Sequence, residues 1–382
     1  MIQDRAAIVG IGQTPFGKGL PQGEEALAVT AIRAALDDAG IAPGEVDGLC
    51  AYSMEATQAD EVARDLTMGD LGFLALTPAG GGGGCAAVGL GAMAIATGQA
   101  QVVVAWRARK RSSAASRVWA GTAERVRGRE MWVRPAGLVR PVDEIAMLAR
   151  RHMALYGTTR DHFANVALAV RGHANRNPAA MMQAKPLTRE AYFAARPISE
   201  PLGLFDCCLE SDGAVAVVLV AAERARDLRQ KPAYVHAFAQ GVSDGSQTMS
   251  NYFCADPLRG QSWACAEGLW RRSDFRPDDV DVAQIYDAFT PEVILSLEGY
   301  GFCARGEGGP FTDDGAVALG GRLPVNTAGG SLSEVYLHGF NLISEAVRQV
   351  RGTSTAQVDV VKCSFVSSSD GVPTSALVLR SD

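Results

Sequence analysis

Between Arg107 and Arg140 the chain carries ten basic side chains: Arg107, Arg109, Lys110, Arg111, Arg117, Arg125, Arg127, Arg129, Arg134 and Arg140. Only Glu124 and Glu130 oppose them. Guanidinium groups at this density suit a polyanion, and the phosphates of coenzyme A are one candidate. A subunit interface or a solvated loop accounts for the same charges. Upstream lies the run Gly80–Gly84, followed by Cys85 at the start of a helical pattern. Glycines opening a helix present backbone N–H groups to an anion, but no G-K-[ST] follows, so no nucleotide phosphate loop is spelled out. The eight cysteines form no C-x-x-C pair and the five histidines are scattered, which leaves no readable zinc site. Spread over so long a chain, these cysteines read as buried thiols rather than disulfides.

These side chains must be positioned by a large scaffold. The 382 residues are 47% hydrophobic with a net charge of −6, which excludes a disordered or fibrous chain and gives no footprint for nucleic acid. No apolar run reaches the ~18 residues of a membrane span. The opening MIQDRAAIVG has no basic-then-apolar layout, so a cytoplasmic protein is expected.

Hydrophobic periodicity predicts strand, helix, strand over Ala6–Gly10, Glu24–Gly40 and Val46–Ala51. A helix from about Cys85 to Gly98 and strands Ala100–Trp106 and Gly213–Ala221 complete the first half. Wholly apolar strands alternating with helices indicate a sheet covered on both faces. The second half repeats the scheme. AALDDAGIAPGEVDGLCAY, ending at Tyr52, parallels GLWRRSDFRPDDVDVAQIY, ending at Tyr286, and the Gly339–Gly352 helix leads to a strand over Val358–Phe365. Self-similarity at this period suggests two related α/β halves, residues 1–225 and 226–382, with an insertion over about 107–201.

Three stretches bear a resemblance to one family: Cys85–Gly98 ending in IATG, the turn Tyr286-Asp287-Ala288-Phe289, and Asn326–Gly330 (NTAGG) followed by Gly339. In order and spacing, through to Ser367–Gly371 (SSSDG), the chain resembles the thiolase superfamily, in particular its sterol-carrier, nonspecific lipid-transfer branch. The resemblance implies a five-layered αβαβα fold and a homodimer. It also exposes departures. The family's nucleophilic cysteine, favoured as thiolate by a helix N-terminus, falls on Gly81. The histidine of its H-D-x-F motif falls on Tyr286, that of its G-H-P motif on Tyr336, and its second cysteine near Ser367. With the acid, base and nucleophile all replaced, the resemblance does not extend to thiolase chemistry.

A phenol titrates near ~10 and is suited to donating a proton or polarising an oxygen. Without a thiol, transfer through a covalent thioester is excluded at this position. What remains is an oxyanion framework: the backbone of Gly81 and Gly82 at a helix N-terminus, facing Gly371 and Ser367. The pair Tyr286 and Tyr336 with such a framework suits retro-aldol cleavage of a β-hydroxyacyl-CoA. The paired tyrosines and the stretch Arg140–Thr159 resemble the steroid side-chain-cleaving aldolases of this branch. That subgroup implies a 17-hydroxy steroid with a three-carbon acyl-CoA side chain, cleaved to a 17-ketosteroid and propionyl-CoA. It also implies a small partner with an OB fold and a zinc ribbon, and no cofactor beyond the coenzyme A of the substrate. Arg107, Arg109, Lys110 and Arg111 are the candidates for holding that coenzyme. Two other readings stand beside this one: a non-catalytic acyl-CoA or lipid carrier, and a thiolase dependent on Cys85. Of the remaining residues, Tyr300 reads as packing, Asp287 as a turn stabiliser and His338 as a surface group.

Overall fold

The computed structural model describes residues 2–77, 80–112, 126, 128, 130–245, 249, 252 and 254–382. The strands are β1 (Ala6–Gln13), β2 (Gly48–Tyr52), β3 (Phe73–Thr77), β4 (Val102–Lys110), β5 (Pro197–Ser199), β6 (Leu202–Gly203), β7 (Asp212–Ala221), β8 (Ala233–Gly241), β9 (Val282–Gln284), β10 (Cys363–Ser367) and β11 (Thr374–Arg380). The helices are α1 (Glu24–Ala39), α2 (Ala59–Asp65), α3 (Gly83–Ala96), α4 (Glu130–Val133), α5 (Pro141–Tyr156), α6 (Arg160–Ala174), α7 (Arg189–Ala194), α8 (Ala222–Ala225), α9 (Gln261–Trp270), α10 (Thr290–Gly299) and α11 (Phe340–Arg351).

Nine strands hydrogen-bond in the order β3-β2-β4-β7-β1-β8-β11-β10-β9. The first five come from the N-terminal half of the chain and the last four from the C-terminal half. The sheet passes from one half to the other where Ala7 and Ile8 pair with Tyr234 and Ala233. Helix α1 covers β1, β7 and β4 from outside, and α9 covers β8 and β11. Helices α3 and α11 pack against strands of both halves, forming a middle layer. The order is helix, sheet, helices, sheet, helix, which is the expected five-layered αβαβα arrangement.

The sequences of the layers follow from this placement. Helix α1 buries one stripe (Leu27, Ala28, Ala31, Ile32, Ala35, Leu36, Ala39) and ends at Gly40, whose φ of 72° closes the C-terminus. It lies so close to β1 that a Cβ on Gly10 would come 2.1 Å from the Ala35 carbonyl oxygen. Helix α3 is sandwiched on both sides and is built almost wholly of Gly, Ala and apolar residues. A Cβ at Gly89 would sit 2.3 Å from the Phe238 ring. Helix α11 is likewise buried nearly all round, with its polar residues paired internally: Thr327 Oγ1 donates to Glu345 at 2.7 Å and Asn341 to Glu334 at 3.0 Å.

The internal repeat has a direct structural counterpart, because α1, the turn Pro43–Glu45 and β2 recur as α9, the turn Pro277–Asp279 and β9. Several bounds differ from the periodicity. Strand β4 runs four residues past Trp106, to Lys110, because it pairs with the whole of β7. Strand β10 begins at Cys363, since Asp281 caps Lys362 and Cys363 through their backbone N–H groups. Strands β8 and β11 and helix α10 were not anticipated. In β8 the run AYVHAFAQG places His236 among apolar residues, where it pairs with Asp4 at 3.2 Å. All eight cysteines are unpaired thiols, as expected.

Candidate active site

Strand β9 carries the chain to Tyr286 and the adjoining NTAGG segment holds it there. Asn326 acts as a surrogate strand, its Oδ1 accepting from Ile285 N at 2.8 Å and its Nδ2 donating to Ile285 O at 2.7 Å. Ser367, at the end of β10, accepts from Tyr286 N at 3.3 Å. The next residue, Asp287, accepts from Ser331 N at 2.7 Å and Leu332 N at 3.2 Å, clamping the turn Gly330–Glu334. This is the turn-stabilising role expected of it. Gly330 admits no side chain there, since a Cβ would meet Asp287 at 2.1 Å. The clamped turn leads straight to Tyr336, whose N–H donates to Ser211 at 3.0 Å. The result is a hydroxyl-to-hydroxyl contact of 2.8 Å between Tyr286 and Tyr336, with rings edge-on at 70°.

The pair lies at a cavity of about 610 Å³, within the size range of small-molecule sites. Its walls are apolar at Val133, Leu138, Val142, Ile198, Leu209 and Phe289. Polar groups enter through Arg109, Arg111, Glu292, Ser369 and His338. Gly81 faces the cavity just ahead of helix α3, and a Cβ there would lie 2.3 Å from the Tyr286 hydroxyl oxygen. The volume freed by the absent cysteine side chain is therefore filled by the phenol.

Electrostatics separate the two tyrosines. Burial raises both, and Tyr286 stands well above 10 with Tyr336 and Glu292 adding to the shift. Tyr336 is pushed up only to about 12, by burial and the nearby Cys208, because Arg109 and the Tyr286 hydroxyl draw it back down. The Arg109 guanidinium sits over the Tyr336 ring, 4.4 Å from its centroid.

Several expected site residues lie elsewhere, and strand alternation explains the basic ones. Arg107 and Arg109 share one face of β4 and Lys110 takes the other, with Arg111 just beyond the end of the strand. Lys110 therefore reaches back to the carbonyls of Leu20 and Gln22 instead of the cavity. Arg107 is fully buried beneath the site, paired with Glu55 at 2.5 Å and donating to His338 Nδ1 at 3.1 Å. Of the four expected coenzyme contacts only Arg109 and Arg111 line the cavity. Arg117, Arg125, Arg127 and Arg129 lie outside the described residues, while Arg134 and Arg140 do line the cavity, paired with Glu130 and Asp143.

The oxyanion framework is also revised. Gly82 packs against the Pro373 carbonyl, with no room for a Cβ, and does not line the cavity. The Gly371 N–H is committed to Ser369 Oγ at 3.2 Å. Ser367 stands behind the Tyr286 backbone, and Ser369 is the serine that faces the cavity. Only Gly81 of the expected group borders the space.

His338 is not a surface group. It is 3% exposed, stacks on Tyr52 at 5.4 Å and stands edge-on to Tyr336 at 5.0 Å. Burial and the charges of Arg107, Arg109 and Arg111 hold it well below its ordinary value, so it is a neutral imidazole. Tyr300 is packing, against Phe365 at 4.8 Å. Cys85 points its thiol toward the Val366 carbonyl, away from the cavity, and burial raises it to about 12. Cys207 and Cys208 do border the cavity, yet burial pushes Cys207 up to about 12 and Cys208 well above its ordinary value. Neither has the helix N-terminus that would make it a thiolate.

Glu292 and Ser369 were missed in the sequence. The signal for Glu292 is a single carboxylate in the first turn of the apolar run TPEVILSL. It is 1% exposed, takes a hydrogen bond from Ser369 at 2.7 Å and is raised to about 8, by burial foremost and by neighbouring Asp370. Among the described residues no three His, Cys, Asp or Glu side chains converge as a metal site, and no helix is long and apolar enough to cross a membrane.

The chain has relatives among known proteins. Residues 6–188 match the family "Thiolase, N-terminal domain" and residues 255–379 the family "Thiolase C-terminal domain-like". The chain is 44% identical to the 17-hydroxy-3-oxo-4-pregnene-20-carboxyl-CoA lyase of Mycobacterium tuberculosis, covering 99% of this chain and 100% of that protein. It is 43% identical to a steroid side-chain-cleaving aldolase of Thermomonospora curvata, over 99% of this chain and 98% of that one. Among solved structures, the Ltp2-ChsH2(DUF35) aldolase superposes with a TM-score of 0.94 at 42% identity, covering 100% of this chain and 99% of that one.

Proposed function

This chain belongs to the thiolase superfamily, and on that footing we propose that it is a carbon–carbon lyase, a CoA-thioester aldolase rather than a thiolase. Full-length identity of 44% and 43% to two steroid side-chain lyases supports this reading. The observation that carries it is the 2.8 Å hydroxyl contact of Tyr286 and Tyr336 at an apolar cavity. The substrate is a 17-hydroxy steroid with a three-carbon acyl-CoA side chain, and the products are a 17-ketosteroid and propionyl-CoA.

Tyr336 is the base and Tyr286 the acid. The guanidinium of Arg109 and the Tyr286 hydroxyl both ease loss of the Tyr336 proton, while no cation among the described residues does the same for Tyr286. Tyr336, a phenol at rest, takes the proton of the 17-hydroxyl as its own hydroxyl proton moves toward Tyr286 across the 2.8 Å contact, and the C–O bond becomes a carbonyl. The carbon–carbon bond breaks, its electron pair becoming the thioester enolate. Backbone N–H at Gly81, ahead of the α3 N-terminus, supports the enolate oxygen. Tyr286 then protonates the enolate carbon and is recharged across the short contact from Tyr336. Proton transfer and oxyanion support suffice, so the reaction asks for no group beyond the coenzyme A of the substrate.

Arg111, with Nη1 unpartnered among the described residues, and Arg109 hold the coenzyme end. Edge strand β3 exposes Leu74 at 60% and Leu76 at 70%, which supports a homodimer, because an exposed apolar edge strand favours a cover. The solved aldolase it resembles bears two names, Ltp2 and ChsH2(DUF35), which supports a heteromeric assembly, and for this chain we expect a small partner with an OB fold and a zinc ribbon. We place the protein in the cytoplasm.

The test is incubation with a 17-hydroxy-steroid acyl-CoA and the partner, assaying free ketone and propionyl-CoA. Absence of carbon–carbon cleavage would leave an acyl-CoA carrier as the better reading.

A further inference from the structure

Buried beside the tyrosine pair is a carboxyl that the proton transfers above do not use. Glu292 lies in the first turn of α10, 1% exposed, and lines the cavity together with Tyr286, Tyr336 and Ser369. Its two oxygens differ. Oε1 receives the Ser369 hydroxyl at 2.7 Å, and Ser369 in turn receives the Gly371 N–H at 3.2 Å. Oε2 is buried with no hydrogen-bond partner among the described residues. An acceptor-side Oε1 leaves the carboxyl proton on Oε2. The same chain of bonds consumes the Gly371 N–H, and Gly82 does not line the cavity, so the enolate oxygen is short of donors on this wall.

Resting on the lyase reading, we propose that Glu292 is a third catalytic residue, its Oε2–H donating a hydrogen bond to the thioester oxygen as that oxygen takes up enolate charge. No proton changes owner in this step; the O–H shortens its contact as charge develops and relaxes when Tyr286 protonates the carbon. A donor in a water-poor site gains most where charge appears only in the transition state. The site keeps the donor protonated: burial and Asp370 raise Glu292 to about 8. A carboxylic acid held neutral in an apolar site to serve as an oxyanion donor is an established strategy in enzymes. The ionisable groups that face it are Asp370 and Asp287 behind, Tyr286, Tyr336 and Cys208 across, and Glu144 and Arg109 on the walls.

The experiment compares wild type, Glu292→Gln and Glu292→Leu in the complex with partner, measuring steroid cleavage and the exchange of propionyl-CoA α-hydrogens for solvent deuterium. Exchange forms the same enolate without breaking a carbon–carbon bond. Glu292→Gln, which keeps a donor at the Oε2 position, retains both activities within about tenfold, while Glu292→Leu loses on the order of 10²–10³ in both. The wild-type rate falls as pH rises through about 8, and the Gln variant lacks that limb. Thermal melting and circular dichroism establish that both variants fold, and the wild-type pH profile stands without any variant. A Gln variant as impaired as Leu, or a Leu variant as active as wild type, overturns the assignment alone. Wild-type protein that releases no ketone overturns the lyase reading, and this donor with it.

Discussion

The Cβ that Gly81 lacks would lie 2.3 Å from the hydroxyl oxygen of Tyr286 and 2.8 Å from the Ser369 Cβ. Two changes from the thiolase pattern, cysteine to glycine at one position and histidine to tyrosine at the other, are thus one steric unit: the phenol fits only because the thiol is gone. A methyl here must displace the acid of the reaction. Gly81→Ala is expected to lower cleavage by about 10²-fold, the usual consequence of moving a reacting group by an ångström. Combining it with Tyr286→Phe removes the nearest clashing atom but leaves the ring carbon that bore it at 2.5 Å, so the melting temperature should recover only in part and turnover not at all. A Gly81→Ala enzyme with normal kcat would show that Tyr286 need not occupy this position.

Tyr286→Phe and Tyr336→Phe each remove one end of a single proton route. Each alone should cut kcat by about 10²–10⁴, and the double variant should be little worse than the poorer single one, since residues acting as a unit are not additive. Multiplicative losses in steady-state kinetics would separate their roles.

Cys85 faces the Val366 carbonyl, and Cys208, although on the cavity wall, is held as a thiol. Cys85→Ala should cleave like wild type, and Cys208→Ser should remain within about tenfold, because no acyl-enzyme is formed. Collapse of activity in either variant to the uncatalysed level would restore a sulfur nucleophile to the mechanism.

Arg111 lines the cavity and Lys110 points to the opposite face of β4. Arg111→Ala should raise KM for the acyl-CoA about tenfold with kcat little changed, the mark of uniform binding. Lys110→Ala should leave KM where it was. Equal KM effects at both positions in substrate-saturation curves would mean that coenzyme A lies elsewhere.

Glu292 also carries a stability signature. Its folded-state value, about 8, exceeds the 4.5 of an unperturbed glutamate, so its burial is tolerated without penalty below about pH 4.5. The penalty grows as pH rises toward 8, where the unfolded chain ionises and the buried group resists. Glu292→Gln should therefore stabilise the protein at pH 8 by on the order of 1–3 kcal/mol and not at all near pH 4. Melting curves at the two pH values test this, and equal shifts at both would show that Glu292 ionises freely in the folded state.

The sequence and the structure diverge in an instructive way at the arginines. Ten basic residues in a row of thirty-odd positions read as one patch, yet a strand turns alternate side chains to opposite faces. Extension of β4 to Lys110 by pairing with β7 splits the group: Arg107 is locked under His338, Arg109 stands over Tyr336, Arg111 borders the cavity and Lys110 faces away. The end of a strand is set by its partner, and β7 lies a hundred residues downstream. The same reasoning applies to His338, which follows Tyr336 by two residues and looks solvent-facing until Tyr52 and two arginines from other segments close around it.

The linear chain determined the layered α/β scaffold and the positions of both tyrosines, because hydrophobic period, helix-ending glycines and a repeated αβ unit are local properties. It also determined that no thiol stands at Gly81. Tertiary structure alone decided that the two hydroxyls meet at 2.8 Å, that Gly371 spends its N–H on Ser369, and that Glu292 is walled in beside Asp370. Proton affinities depend on dielectric surroundings and on charges brought close from distant segments, and neither can be assigned until the chain has folded back on itself.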